Sequence, residues 1–189
     1  CFWKLHFQPN TVIVKSTGQA YTGTIQVYAA AIDPTSADIT QIIPGSFQAI
    51  DANGFRVTLQ SFGMAAVQLE GSAGELLQIA TGKTAKLKLS IPASLQGSAP
   101  GSIPMWSLNE TDGLWKQEGN GTKNGNFYEG DVSHFSFWNY DIGNNSIFLE
   151  LTVNNVNGPL PHTLVKITRT SNGTFTFGYT DSIGHVGGL

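Results

Sequence analysis

Apolar and polar residues alternate with a period of two along much of this chain. Thr24-Ile25-Gln26-Val27-Tyr28-Ala29, Lys86-Leu87-Lys88-Leu89-Ser90-Ile91 and Phe148-Leu149-Glu150-Leu151-Thr152-Val153 each collect their apolar side chains on one side. That is the pattern of a half-buried antiparallel strand. Further strands are predicted over 4–8, 11–15, 55–62, 64–70, 75–80, 103–108, 114–118, 126–132 and 134–140. Asn53-Gly54, Asp112-Gly113, Asn124-Gly125 and Asn157-Gly158 separate them as turns. Short strands at this spacing predict an all-β protein built as an antiparallel β-sandwich. One short helix is expected near Asp33-Pro34-Thr35-Ser36-Ala37-Asp38-Ile39, ended by Pro44-Gly45.

Trp106 to Trp115 reads as a hairpin turning at Asp112-Gly113, with the two indoles as a cross-strand core pair. The alternative for these indoles is an exposed platform for a sugar. Asp141-Ile142-Gly143-Asn144-Asn145-Ser146 is a polar break, with a new alternating strand from Ile147. It predicts two units, a β-sandwich over 1–141 and a second β-unit over 146–189. The second holds only about four strands, too few for a self-sufficient core, and is expected to be an incomplete sandwich.

Charged residues make up 12% of the 189 residues, about half the usual share, and Ser, Thr, Asn and Gln supply the remaining polarity. This composition suits a secreted or cell-surface β-protein. The net charge is −3 and no basic run occurs, so nucleic acid is not an expected partner. No stretch approaches the ~20 apolar residues of a membrane span. The single cysteine, Cys1, excludes an internal disulfide. It is a candidate lipid anchor, with an accidental first residue of a longer chain as the favoured reading. His6, His162 and His185 have no ligand spacing with one another or with Cys1, and Asp33, Asp38 and Asp51 form no calcium loop, so neither metal nor cofactor is expected. Four Asn-x-Ser/Thr triplets, at Asn109, Asn120, Asn144 and Asn172, carry meaning only on a eukaryotic secretory route.

The sharpest chemistry lies in Ser133-His134-Phe135-Ser136-Phe137-Trp138. The Ser136 hydroxyl directly follows the Phe135 carbonyl. Its attack would convert the peptide to an ester by an N-to-O acyl shift, and water would then cut the chain. His134 would act as general base, and an N–H donor would have to hold the oxyanion. On a regular strand His134 and Ser136 share a face but stand ~6.6 Å apart in rise, so the chemistry needs a kink at Phe135. The plainer reading is an ordinary strand with Phe135 and Phe137 in the core, which Trp138 on the polar face fits less well.

Several blocks resemble a β-sandwich of multi-domain surface proteins of Gram-negative bacteria and of cartilage intermediate layer protein. They are Tyr21-Thr22-Gly23, Ala31-Ile32-Asp33-Pro34-Thr35, Pro44-Gly45-Ser46-Phe47, Ser61-Phe62-Gly63-Met64, Ile91-Pro92-Ala93, Trp106-Ser107-Leu108 and Gly113-Leu114-Trp115. The resemblance implies an extracellular, non-catalytic domain. His134-Phe135-Ser136 is similar to the self-cleavage site of the sandwich domains in the PIDDosome scaffold protein, related to those of ankyrins and netrin receptors. The nucleoporin autoproteolytic domain carries the same triplet. Leu149 to Asn154, Asn157-Gly158-Pro159-Leu160-Pro161, Val165-Lys166-Ile167 and Tyr179-Thr180-Asp181-Ser182-Ile183-Gly184 resemble the prealbumin-like, carboxypeptidase-regulatory-like domain, which lacks a peptidase site. Pro161-His162 stands where that family often has Gly. The leading expectation is thus a structural or adhesion-type module at a bacterial outer surface, partnered by other domains of its chain or by envelope proteins. The alternatives are a self-processing domain cut between Phe135 and Ser136, and a carbohydrate-binding sandwich.

Overall fold

The computed structural model of the chain describes residues 3–145, 147 and 149–188. Cys1, the candidate lipid anchor, and Phe148, expected to open a strand, lie outside the described residues. The fold is all-β. Eleven strands form one hydrogen-bonded sheet: β1 (Trp3–Phe7), β2 (Val12–Val14), β3 (Gln26–Ile32), β4 (Gln48–Ile50), β5 (Arg56–Glu70), β6 (Leu76–Ile79), β7 (Ala85–Ser90), β8 (Ser102–Asn109), β9 (Leu114–Asn124), β10 (Phe127–Val132) and β11 (Phe137–Asn145). The order along the main path is β1-β7-β10-β9-β8-β11-β5-β6-β2, with β3 and β4 added beside β5. Among the described residues every ladder is antiparallel except the short contact of β4 with β9.

The sheet folds over itself and encloses two cores. Alternation along β7 sends Ala85, Leu87 and Leu89 inward, and on β10 Tyr128 and Val132 meet them. Opposite lie Val67 and Leu69 of β5, Leu77 and Ile79 of β6, and Trp138 and Tyr140 of β11, completing the sandwich core. The second core has a different cause. β4 pairs with β5, β5 with β11, β11 with β8, β8 with β9, and β9 with β4. These ladders close a ring of five strands. Trp106, Leu108, Trp115, Ala49, Val57 and Leu59 fill it, with Ile39 and Ile43 packed against them. The two indole N–H groups donate to the Asp141 carbonyl (2.9 Å) and the Ser46 carbonyl (2.8 Å), as buried indoles require.

One strand serves both cores because of Gly63. The ladder between β5 and β11 shifts register, so that Phe62 and Gly63 together oppose Tyr140. Gly63 has φ 153°, and a Cβ there would come within 3.3 Å of the Ser90 carbonyl. This bulge turns the strand over: Leu59 and Met64 face the ring, whereas Phe62, Ala65 and Val67 face the sandwich. The two strands predicted over 55–62 and 64–70 are therefore one.

Other expectations need correction. Residues 141–145 of the polar stretch are not a break, because β11 continues through Gly143 to Asn145, paired with β5 as far as Val57, and Ser146 lies outside the described residues. The expected helix shrinks to one turn, α1 (Ile39–Ile42), because the Asp33 carboxylate binds the Thr35 N–H and hydroxyl and holds a tight turn. Trp106 and Trp115 are not directly opposed; Gln117 faces Trp106 and Leu108 faces Trp115. β4 was not anticipated, since three residues carry too little pattern to read.

After Asn145 the described chain forms three two-stranded ladders separate from the large sheet. They are β12 (Glu150–Thr152) with β17 (His185–Gly187), β13 (Asn154–Asn155) with β14 (Gly158–Pro159), and β15 (Leu164–Thr168) with β16 (Phe175–Tyr179). This segment rests on the ring. Phe177 is buried in the ring core, and Phe175 meets Phe47 edge-to-face at 5.1 Å. Gln48 Nε2 donates to the Gly188 carbonyl, and the Arg169 guanidinium donates to the Asn145 carbonyl at 2.7 Å.

Candidate functional site

The His134-Phe135-Ser136 triplet lies in the turn between β10 and β11, not inside a strand. β10 ends at Val132 and β11 begins at Phe137, so residues 133–136 bend out of the ladder. The bend has two anchors. Phe135 is buried in the sandwich core and meets Phe7 edge-to-face at 5.7 Å. Trp138 is 1% exposed, and its indole N–H donates to the His134 carbonyl at 3.0 Å. That bond explains why an apolar ring occupies what looked like the polar face.

A bend leaves backbone groups without ladder partners, and such groups must be satisfied elsewhere. Gln78 on β6 does this with a single side chain. Its Oε1 accepts the Phe135 N–H at 2.6 Å, and its Nε2 donates to the Phe135 carbonyl at 3.1 Å. The carboxamide thus stands in for a missing strand. The Ser136 carbonyl accepts the Val67 N–H at 3.1 Å, which returns the chain to the β5 ladder.

The side chains of the triplet diverge. His134 Nε2 lies 3.2 Å from Glu118 Oε2 on β9, and its ring lies over Trp138 at 5.0 Å between centroids. The other oxygen of Glu118 accepts the Ser107 hydroxyl at 2.8 Å. The Ser136 hydroxyl donates to the Phe137 carbonyl, a long contact of 3.3 Å. Among the described residues no hydrogen bond joins His134 to Ser136. The triplet therefore has a nucleophile next to the Phe135 carbonyl and a donor on that carbonyl, with the imidazole turned away toward Glu118. Phe135, Ser136 and Phe137 border an open groove of about 670 Å³ that Gln78, Val67 and Tyr28 also line.

Two features of this site escaped the sequence. Gln78 and Glu118 stand 57 and 16 residues from their partners, and nothing local marks either one. A third polar group is buried elsewhere: Asn139 and Asp141 are both fully inaccessible. Burial pushes the Asp141 carboxyl well above the usual carboxylate range, with the Ser61 hydroxyl and the Phe62 N–H opposing the shift. The sugar platform is overturned, because Trp106 and Trp115 are 1% and 0% exposed. Among the described residues no group of three or more His, Cys, Asp or Glu side chains is placed to hold a metal ion, and no helix is long and apolar enough to cross a membrane.

The comparisons with known proteins bear on the same chain. It is similar to cartilage intermediate layer proteins. Cartilage intermediate layer protein 2 of Homo sapiens is 24% identical over 110 residues, which is 58% of this chain and 9% of that protein. Cartilage intermediate layer protein 1 of Sus scrofa is 28% identical over 115 residues, which is 59% of this chain and 18% of that protein. The chain thus spans less than a fifth of the length of either relative. No family model matches it, and no solved structure matches it.

Proposed function

We propose that this chain is a non-catalytic structural module of a secreted or cell-surface protein, spacing or anchoring neighbouring domains. One observation carries the reading: the imidazole of His134 is engaged by Glu118 and Trp138, and among the described residues no hydrogen bond joins it to Ser136. Likeness to proteins named for a layer of cartilage, over more than half of the chain, supports the same reading. In its finer form, the module belongs to a bacterial outer-surface assembly. Residues up to Asn145 form the sandwich, and the segment after it is a carboxypeptidase-regulatory-like partner packed on the ring. Its partners are other domains of its own chain or envelope proteins.

A second reading is favoured by a specific contact. The Gln78 Nε2–H lies on the carbonyl that Ser136 would attack, where an oxyanion donor is needed. In that reading the chain cuts itself once between Phe135 and Ser136 after His134 swings from Glu118 to Ser136. A denaturing gel with intact mass separates the two. The structural reading expects one uncut chain that is stable on long incubation at neutral pH. Fragments ending at Phe135 and beginning at Ser136, absent in Ser136→Ala, would replace it with the self-processing reading.

A further inference from the structure

Inside the ring, Ser61, Asn139 and Asp141 form a buried polar trio that neither reading uses. Asp141 and Ser61 are cross-strand partners, and Asn139 lies two residues along β11 on the same face as Asp141. The bulge at Gly63 brings Ser61 onto Asn139. The Ser61 hydroxyl donates to Asn139 Oδ1 at 2.7 Å and accepts the Gly63 N–H at 3.3 Å. The remaining atoms of the trio are orphans. Asn139 Nδ2 and both carboxyl oxygens of Asp141 are buried with no hydrogen bond of ordinary geometry. Buried polar groups are almost always partnered, so three orphans in one cluster need a cause.

We propose that Ser61 and Asn139 condense into an intramolecular ester that ties β5 to β11. Ser61 Oγ attacks Asn139 Cγ; the Oγ–Cγ bond forms, the Cγ–Nδ2 bond breaks, and ammonia leaves. Asp141 carries the protons. One carboxyl oxygen takes the hydroxyl proton while the other gives its own proton to Nδ2, so the acid ends as it began. Neither oxygen makes a hydrogen bond of ordinary geometry, although the Ser61 hydroxyl and the Phe62 N–H lie near enough to act on the carboxyl, so the transfer requires the carboxyl to turn onto Ser61 Oγ and Asn139 Nδ2. Burial pushes the carboxyl well above the usual carboxylate range and so favours the protonated form, which supplies the proton that the leaving nitrogen needs. The reaction consumes no oxidant, metal or co-reactant. It removes the orphan Nδ2, and the same exclusion of water shields the ester from hydrolysis. A covalent tie between two central strands suits a module that holds other domains apart.

The wild-type chain decides the matter. Folded protein, denatured and weighed intact, should be lighter than its sequence by one ammonia. A trypsin digest should release residues 57–83 joined to residues 124–166, and hydroxylamine should separate them. Ser61→Ala should restore the sequence mass whether or not the variant folds. Asp141→Asn should slow the loss in folded protein by at least ~10-fold. A wild-type mass equal to the sequence mass after long incubation in the folded state overturns the proposal. So does a one-ammonia deficit that persists in Ser61→Ala, since it would arise at another residue. Self-cleavage gives a different signature, adding one water and splitting the chain.

Discussion

Replacing Gln78 by Ala tests whether one side chain holds the turn between β10 and β11. The substitution removes two hydrogen bonds to Phe135, at 2.6 and 3.1 Å, and leaves that residue's N–H and carbonyl without a protein partner. A net hydrogen bond contributes ~0.5–1.5 kcal/mol, and orphaning a buried group costs ~1–3 kcal/mol. The Gln78 side chain is part-buried, so water recovers some of the loss, and the expected cost is about 2–3 kcal/mol. In a chain of this size that corresponds to a fall of roughly 5–10 °C in Tm. Urea unfolding followed by tryptophan fluorescence reads it directly, because Trp138 donates to the His134 carbonyl in the same turn. The midpoint should fall with the slope unchanged. Gln78→Glu sharpens the test. It keeps the acceptor for the Phe135 N–H but sets a carboxylate against the Phe135 carbonyl at neutral pH. Protonation at acid pH restores a donor, so this variant should recover part of the lost stability as pH falls toward 4. A Gln78→Ala protein within ~0.5 kcal/mol of wild type would show that the turn is held by Phe135 and Trp138 packing alone.

Two further outcomes follow from the ring. The Asp141 carboxyl binds its proton more tightly in the folded state than its unfolded value of 3.8 allows, so its contribution is complete below that pH and is lost as pH rises toward the folded value. The difference in stability between wild type and Asp141→Asn, measured from pH 4 to 8, should therefore move steadily in favour of the amide. A flat difference would place Asp141 in water. Phe177→Ala empties a buried aromatic site beside Phe47 and should cost about 3–5 kcal/mol. Limited proteolysis should then release the segment after Asn145 faster than in wild type, and an unchanged rate would mean that this segment is not held by the ring.

The period-two pattern revealed most of the strands because their two faces differ in burial, as along β7 and β10. It failed wherever a polar residue is buried or an apolar one is held by a hydrogen bond. Asp141, Asn144 and Asn145 looked like a linker, yet they extend β11, and Asp141 turns into the ring beside Ser61 and Asn139. Trp138 looked misplaced because its donor role to the His134 carbonyl is invisible in a hydropathy pattern. Gly63 fell between two predicted strands, over 55–62 and 64–70, and is a bulge within one. At the His134-Phe135-Ser136 triplet the residues were legible but their surroundings were not. Gln78 and Glu118 come from β6 and β9, and only the fold brings them there.

The ring has a mechanical consequence. β11 leaves it toward the C-terminal segment while bonded on both flanks, to β5 from Ala66 down to Val57 and to β8 from Ser107 to Met105. Tension entering through that segment runs along β11 and must slide both ladders together, because bonds pulled along the strand share the load. β1, at the other end of the sheet, has a strand ladder on one flank, with β7. Under a steady pull between the two ends, the chain should peel at β1 first, and the closed ring should be the last part to give way.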